Sequence, residues 1–218
     1  MSSRQQEKER RREEREAAEA AATRSESRKR KLQIGGGAVL VAAVIAVIAV
    51  VALAGGDKGG SADTGDLAAN ATAAGCTYKA YRSEGRDHTS DKVKYKTNPP
   101  TSGPHNPVPA QDGIYAPGNE PAPENWVHSL EHGRVLFQYK PGTPAADVAK
   151  LRSLAQEELN GSAGYHALMF QNNTNIPTQY ALVAWTKSLT CEKLTSQSED
   201  VMRQFRKAFT DKGPEFIP

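Results

Sequence analysis

Arg134-Val135-Leu136-Phe137-Gln138-Tyr139 is followed, after the break Lys140–Thr143, by Pro144-Ala145-Ala146-Asp147-Val148-Ala149-Lys150-Leu151-Arg152-Ser153-Leu154-Ala155. The first stretch is a short run rich in apolar, β-branched and aromatic residues, a composition that predicts a strand. In the second, Val148, Leu151, Leu154, Ala155 and Leu159 recur with a 3.6-residue period. Thr143 stands where an N-cap belongs, Pro144 suits the first helical position and Gly161 suits the stop, so a helix is predicted over 144–160. A strand passing straight into a helix requires a domain that mixes the two.

Working outward, His166–Gln171 and Tyr180–Thr186 read as strands, Thr77–Ser83 as an alternating strand with Tyr78 and Tyr81, and Lys92–Lys96 as a weaker one. Ser196-Gln197-Ser198-Glu199 resembles a capping box. It opens a last helix with Val201, Phe205, Ala208 and Phe209 on one face, ended by Gly213-Pro214. Residues 98–123 carry eight prolines, which remove backbone donors and fix φ, so this stretch is read as a long extended loop. The expected fold is α+β: a small, mostly antiparallel sheet of four to five strands with about two helices and a long proline-rich loop.

The whole-chain averages hide segregation. The 218 residues are 38% hydrophobic and 24% charged with a net charge of +3, which excludes a multi-spanning membrane protein and gives no reason to expect nucleic acid as a partner. Yet residues 1–33 hold eleven Lys/Arg and seven Glu, the local excess of a charged cytoplasmic tail. Residues 34–54 are 21 positions without a charge, and about 20 helical residues cross a bilayer core. The cluster Arg28–Lys31 beside them puts the N-terminus in the cytoplasm by the positive-inside rule. The expectation is a single transmembrane helix at 34–54 in the plasma membrane, with the membrane as partner. A flexible linker follows at 55–75, rich in Gly, Ala and Ser, then an extracytoplasmic α+β domain at 76–218.

Two cysteines exclude a zinc site built from four thiolates. Cys76 opens the outer domain and Cys191 follows its last predicted strand. Lacking CxxC spacing, they are expected to form a structural disulfide, which an extracytoplasmic setting permits.

The densest chemical signal is Trp126-Val127-His128-Ser129-Leu130-Glu131-His132-Gly133. It matches H-x-x-E-H, in which two imidazoles at i and i+4 face one metal and the glutamate acts as base. A peptidase of this kind needs a further carboxylate from a later helix, for which Glu157 and Glu158 are candidates. His88 and His105 also flank or lie in the proline-rich region. Three or four imidazoles with Glu131 suit copper or zinc. Met169, three residues after His166, would favour copper, but strand positions three apart point to opposite faces. The structural alternative makes these side chains a buried polar network that satisfies the coil.

The series Cys76, Gly85, His88, Tyr95, Asn98-Pro99-Pro100-Thr101-Ser102-Gly103-Pro104-His105, Gly113-Ile114-Tyr115, Val127–Gly133 and Ala184-Trp185 resembles the bacterial "domain of unknown function 3105" family. The resemblance covers about Cys76 to Cys191. It implies a membrane-anchored protein with this domain and implies no reaction. The segment around His166 and Met169 lies outside the motif blocks, which leaves His88, His105, His128, Glu131 and His132 as the metal-ligating set. The leading expectation is a binding module rather than an enzyme. The alternatives are a non-catalytic cell-envelope interaction module that meets a protein partner through residues 98–123, and a metallopeptidase.

Overall fold

A computed structural model of the chain describes residues 64–215 and 217. In chain order these form α1 (Thr64–Ala73), β1 (Cys76–Ala80), β2 (Gly113–Ile114), α2 (Pro123–Glu131), β3 (Val135–Tyr139) and α3 (Ala145–Gln156). The short strands β4 (Glu158–Leu159) and β5 (Ser162–Ala163) follow, then β6 (Ala167–Gln171), β7 (Tyr180–Ala184), β8 (Lys187–Cys191) and α4 (Ser196–Phe209).

Six strands make one mixed sheet in the order β1-β8-β7-β3-β6-β2, and β4 pairs with β5 apart from it. All five residues of β3 are buried, as are those of β7. Alternate residues feed two cores. Val135, Phe137 and Tyr139 join Met169, Leu182 and the apolar faces of α1, α3 and α4. Leu136 joins Leu168, Phe170 and Val183 against Trp126, Val127 and Leu130 of α2. A strand covered on both faces loses the alternation of a half-buried one, which is why Arg134–Tyr139 reads as a continuous run.

The expected fold class requires correction on three points. The sheet has six strands rather than four to five, and although three of its five pairings are antiparallel as expected, β6 runs parallel to β3 and β2 parallel to β6, so it is mixed. The reason is α3, which returns the chain along the sheet as a crossover before β6. The described residues hold four helices, not two. The stretch 64–73, read as tether, is helical and buries Leu67 and Ala71, and α2 replaces coil at the end of the proline-rich segment. Third, the apolar segment 34–54 lies outside the described residues, and so does the tail 1–33. Among the described residues no helix is long and apolar enough to cross a membrane. The longest of them, α4, has 14 residues and reaches about 21 Å against a hydrocarbon core of about 30 Å. No described element supports the transmembrane part of the expected fold or the membrane as a partner, and both are left out of the corrected fold.

Smaller differences have local causes. β8, overlooked in the sequence, pairs with both β1 and β7, and Cys191 ends it rather than following the sheet. Lys92–Lys96 forms no strand. The cap of α4 is one residue earlier than read: the Thr195 side chain accepts from the Ser198 N–H and the Ser198 hydroxyl accepts from the Thr195 N–H. The expected disulfide is present: Cys76 and Cys191 face each other across the β1–β8 ladder and are bonded.

Candidate metal centre

The centre is assembled from α2 and from the loop 85–106. His128 and Glu131 lie on α2, and His132 caps its C-terminus. The loop is irregular, and its stretch 99–103 and His105 are buried, so the polar groups there need partners. Thr101 O accepts from Thr186 N–H at 2.8 Å, Ser102 Oγ accepts from Glu84 N–H at 3.0 Å, and Gly103 N–H donates to Gly85 O at 3.1 Å. Gly103 has φ +125°, and a Cβ there would press on the Tyr95 ring, whose hydroxyl donates to Pro104 O. This bonding explains the Pro-Thr-Ser-Gly-Pro-His motif: it delivers His105, fully buried, beneath α2. The His105 N–H donates to Asp87 O, and the His105 carbonyl accepts from Thr89 N–H. These bonds bring His88 alongside in a parallel bridge.

His88, His105, His128 and Glu131 each have a ligating atom within 4.8 Å of the others'. Four of the five sequence-predicted residues are therefore brought together in one group. His132 joins His128 in a second set completed by Glu215, within the same limit.

The two buried rings are fixed in the same way. His105 Nδ1 lies 2.8 Å from Gly103 O and His128 Nδ1 lies 2.7 Å from Asn106 O. A carbonyl only accepts, so both Nδ1 atoms donate, and in the neutral rings Nε2 keeps its lone pair. A metal-binding histidine takes this arrangement when its second nitrogen is tied to a carbonyl. His105 Nε2 then lies 3.0 Å from Glu131 Oε2, and with a lone pair facing a carboxylate this buried nitrogen makes no hydrogen bond. His128 Nε2 lies 2.9 Å from His132 Nε2. Ligand atoms held about 2.0–2.1 Å from one ion at right or tetrahedral angles are about 2.8–3.4 Å apart, so both separations match edges of a coordination polyhedron.

Burial above all, then the neighbouring His128, push His132 down to about 4. Burial likewise lowers His128, with His105 and His88 adding to it, against the opposing pull of the Asn106 carbonyl and Glu131. Both imidazoles are thus neutral at neutral pH, the form that binds metal. The sign for stability follows. An unfolded imidazole takes a proton near pH 6.5, while these folded ones resist it. The metal-free protein is expected to lose stability as pH falls from about 6.5 to about 4, where the His132 contribution levels off. Urea unfolding midpoints across that range check it.

The remaining predicted positions are elsewhere. Glu157 pairs with Arg203 at 2.8 Å and Glu158 lies in β4, so neither supplies the carboxylate that the peptidase reading asked for. His166 bonds Asp211 through Nδ1 at 2.6 Å, and Met169 is buried in the core on the α3 side of the sheet. Glu215 was missed. It arrives by a C-terminal strap in which Asp211 N–H donates to Gly133 O and Glu215 N–H donates to Glu131 O, while the Asp211 carboxylate accepts from His166 Nδ1 and Asn160 Nδ2. The one sequence signal for it is the Gly213-Pro214 turn after an amphipathic helix.

Gly133 links motif and strap. Its φ is +79°, and a Cβ would lie 2.7 Å from Asp211 Cα. Gly133→Ala is expected to cost about 3 kcal/mol, from the left-handed backbone penalty plus overpacking, read from urea denaturation.

The family model described as "Protein of unknown function (DUF3105)" matches residues 88–216. The chain belongs to this family. All six residues of the two ligand sets fall inside the matched region, whereas Cys76 lies before it. No curated protein matches the DUF3105 chain, and no solved structure does.

Proposed function

We propose that this DUF3105 domain binds a divalent transition metal, copper or zinc, through His88, His105, His128 and Glu131. The observation that carries the reading is His105 Nε2: fully buried, without a hydrogen bond, and 3.0 Å from a carboxylate oxygen. Leaving a buried polar atom unpaired costs about 1–3 kcal/mol, and a cation between the two atoms removes that cost. Imidazole and carboxylate donors suit zinc or Cu(II).

The reaction class is binding rather than hydrolysis. A peptidase base must reach a water beside the substrate, but the Glu131 side chain is 3% exposed and faces His105. The disulfide suits an oxidising compartment, in keeping with a working place outside the cytoplasm.

Isothermal titration of the metal-free full chain with zinc, and with copper, tests the reading. A saturable site is expected. Its dissociation constant should rise by at least about 100-fold in His128→Ala and in His105→Ala, each of which removes a ligand. Absence of saturable heat in the parent chain, with circular dichroism showing it folded, refutes the reading.

A further inference from the structure

Five of the six ligating side chains run inward from solvent, and the sixth, His88, is itself exposed. Glu215 has 47% of its side-chain surface exposed and His132 has 11%, while Glu131 has 3% and His105 none. Neighbouring atoms along this line are separated by 3.8 Å (Glu215 Oε2 to His132 Nε2), then 2.9 Å (His132 Nε2 to His128 Nε2). At the inner end, Glu131 Oε2 and His105 Nε2 are 3.0 Å apart. The series contains two ligand sets, and His128 belongs to both.

His128 cannot serve two ions at once. Its Nδ1 donates to Asn106 O, which leaves Nε2 as its single lone pair. Paired-metal sites place their ions about 3.5–4 Å apart. A group common to both must then have two donor atoms, and here the two carboxylates are divided, Glu131 in one set and Glu215 in the other.

We propose that the cluster is two overlapping cation sites that share His128 and hold one ion at a time: an outer set, His132 with Glu215, receives a divalent transition metal from solvent, and an inner set, His88 with His105 and Glu131, retains it. The inference rests on the metal-binding reading above. His128 Nε2 is the pivot, since an ion moving inward keeps that bond while it exchanges His132 and Glu215 for His105 and Glu131. The strap residues 211–215 set the port, because their backbone bonds to the end of α2 carry Glu215 to His132. His88, the exposed member of the inner set, marks the competing direct route.

The test is stopped-flow loading of the metal-free full chain with Co²⁺, followed by its visible absorption, with bound metal counted by elemental analysis. One ion per chain is expected. Glu215→Gln, a change at an exposed position, is expected to slow loading by at least about tenfold and to leave the final dissociation constant within about threefold of the parent. His88→Ala is expected to weaken retention while loading at a rate near that of the parent. Two ions per chain overturn the proposal, as does unchanged loading in Glu215→Gln or slowed loading confined to His88→Ala. If the parent chain retains no metal, the binding reading itself fails, which is distinguishable from those outcomes.

Discussion

Zinc supplied at about a thousand times its dissociation constant is expected to raise the unfolding free energy of the full chain by about 4 kcal/mol. The gain is that large only if the folded chain binds and the unfolded chain does not. The sequence separates His88, His105 and His128 widely, so unfolding disperses the ligands. Folding gathers them and spends their Nδ1 protons on Gly103 and Asn106 carbonyls. Glu131→Gln discriminates between causes. An amide N–H₂ can donate to the His105 Nε2 lone pair, so the metal-free variant is expected to be at least as stable as the parent. The same change removes the anionic ligand, and the zinc-induced gain is expected to fall below about 1 kcal/mol. A polar network whose role is only structural predicts neither the gain nor its loss. Denaturant unfolding with and without zinc measures both.

Reducing the Cys76–Cys191 bond, or replacing both cysteines with alanine, is expected to cost about 4–5 kcal/mol. The bond closes a loop of 115 residues that contains most of the sheet and all of the metal centre except Glu215. The cost arises mainly in the unfolded chain, which regains the freedom that the bond denies it. For a domain whose total stability is about 5–15 kcal/mol, this is about a quarter or more. The folded state should loosen first at β1, an edge strand whose other neighbour in the sheet order is absent, and at α1 packed beside it. Hydrogen exchange is therefore expected to accelerate at Cys76–Ala80 before it does in β3, while zinc affinity stays near that of the parent. Equal acceleration in both strands would show that the bond holds the whole domain rather than its edge.

These expectations depend on features that the sequence discloses unevenly. Val135–Tyr139 and the helix after it were legible because burial on both faces and a 3.6-residue period leave plain composition signals. Strand direction was not legible. Nothing local in Ala167–Gln171 says that it runs parallel to β3, and that outcome is fixed by where α3 packs. β8 escaped notice because Lys187-Ser188-Leu189-Thr190-Cys191 has a single large apolar residue, although cross-strand bonds to both β1 and β7 hold it. At the centre, His128 and His132 were legible from their i,i+4 spacing on one helix. His88 and His105 were legible from their grouping around the proline-rich loop and from the motif blocks, but the backbone bonds to Asp87 and from Thr89 that bring them together have no side-chain pattern. Glu215 was invisible because backbone bonds from Asp211 and Glu215 to the end of α2 carry it to His132, and no spacing in the sequence marks them.

The most direct measurement is X-ray absorption spectroscopy at the zinc edge of the full chain loaded with one equivalent of zinc. The account predicts nitrogen and oxygen neighbours at about 2.0–2.1 Å, with the outer-shell scattering of at least two imidazoles, and loss of part of that scattering in His105→Ala. A zinc signal without imidazole scattering, or one that His105→Ala leaves unchanged, would contradict it.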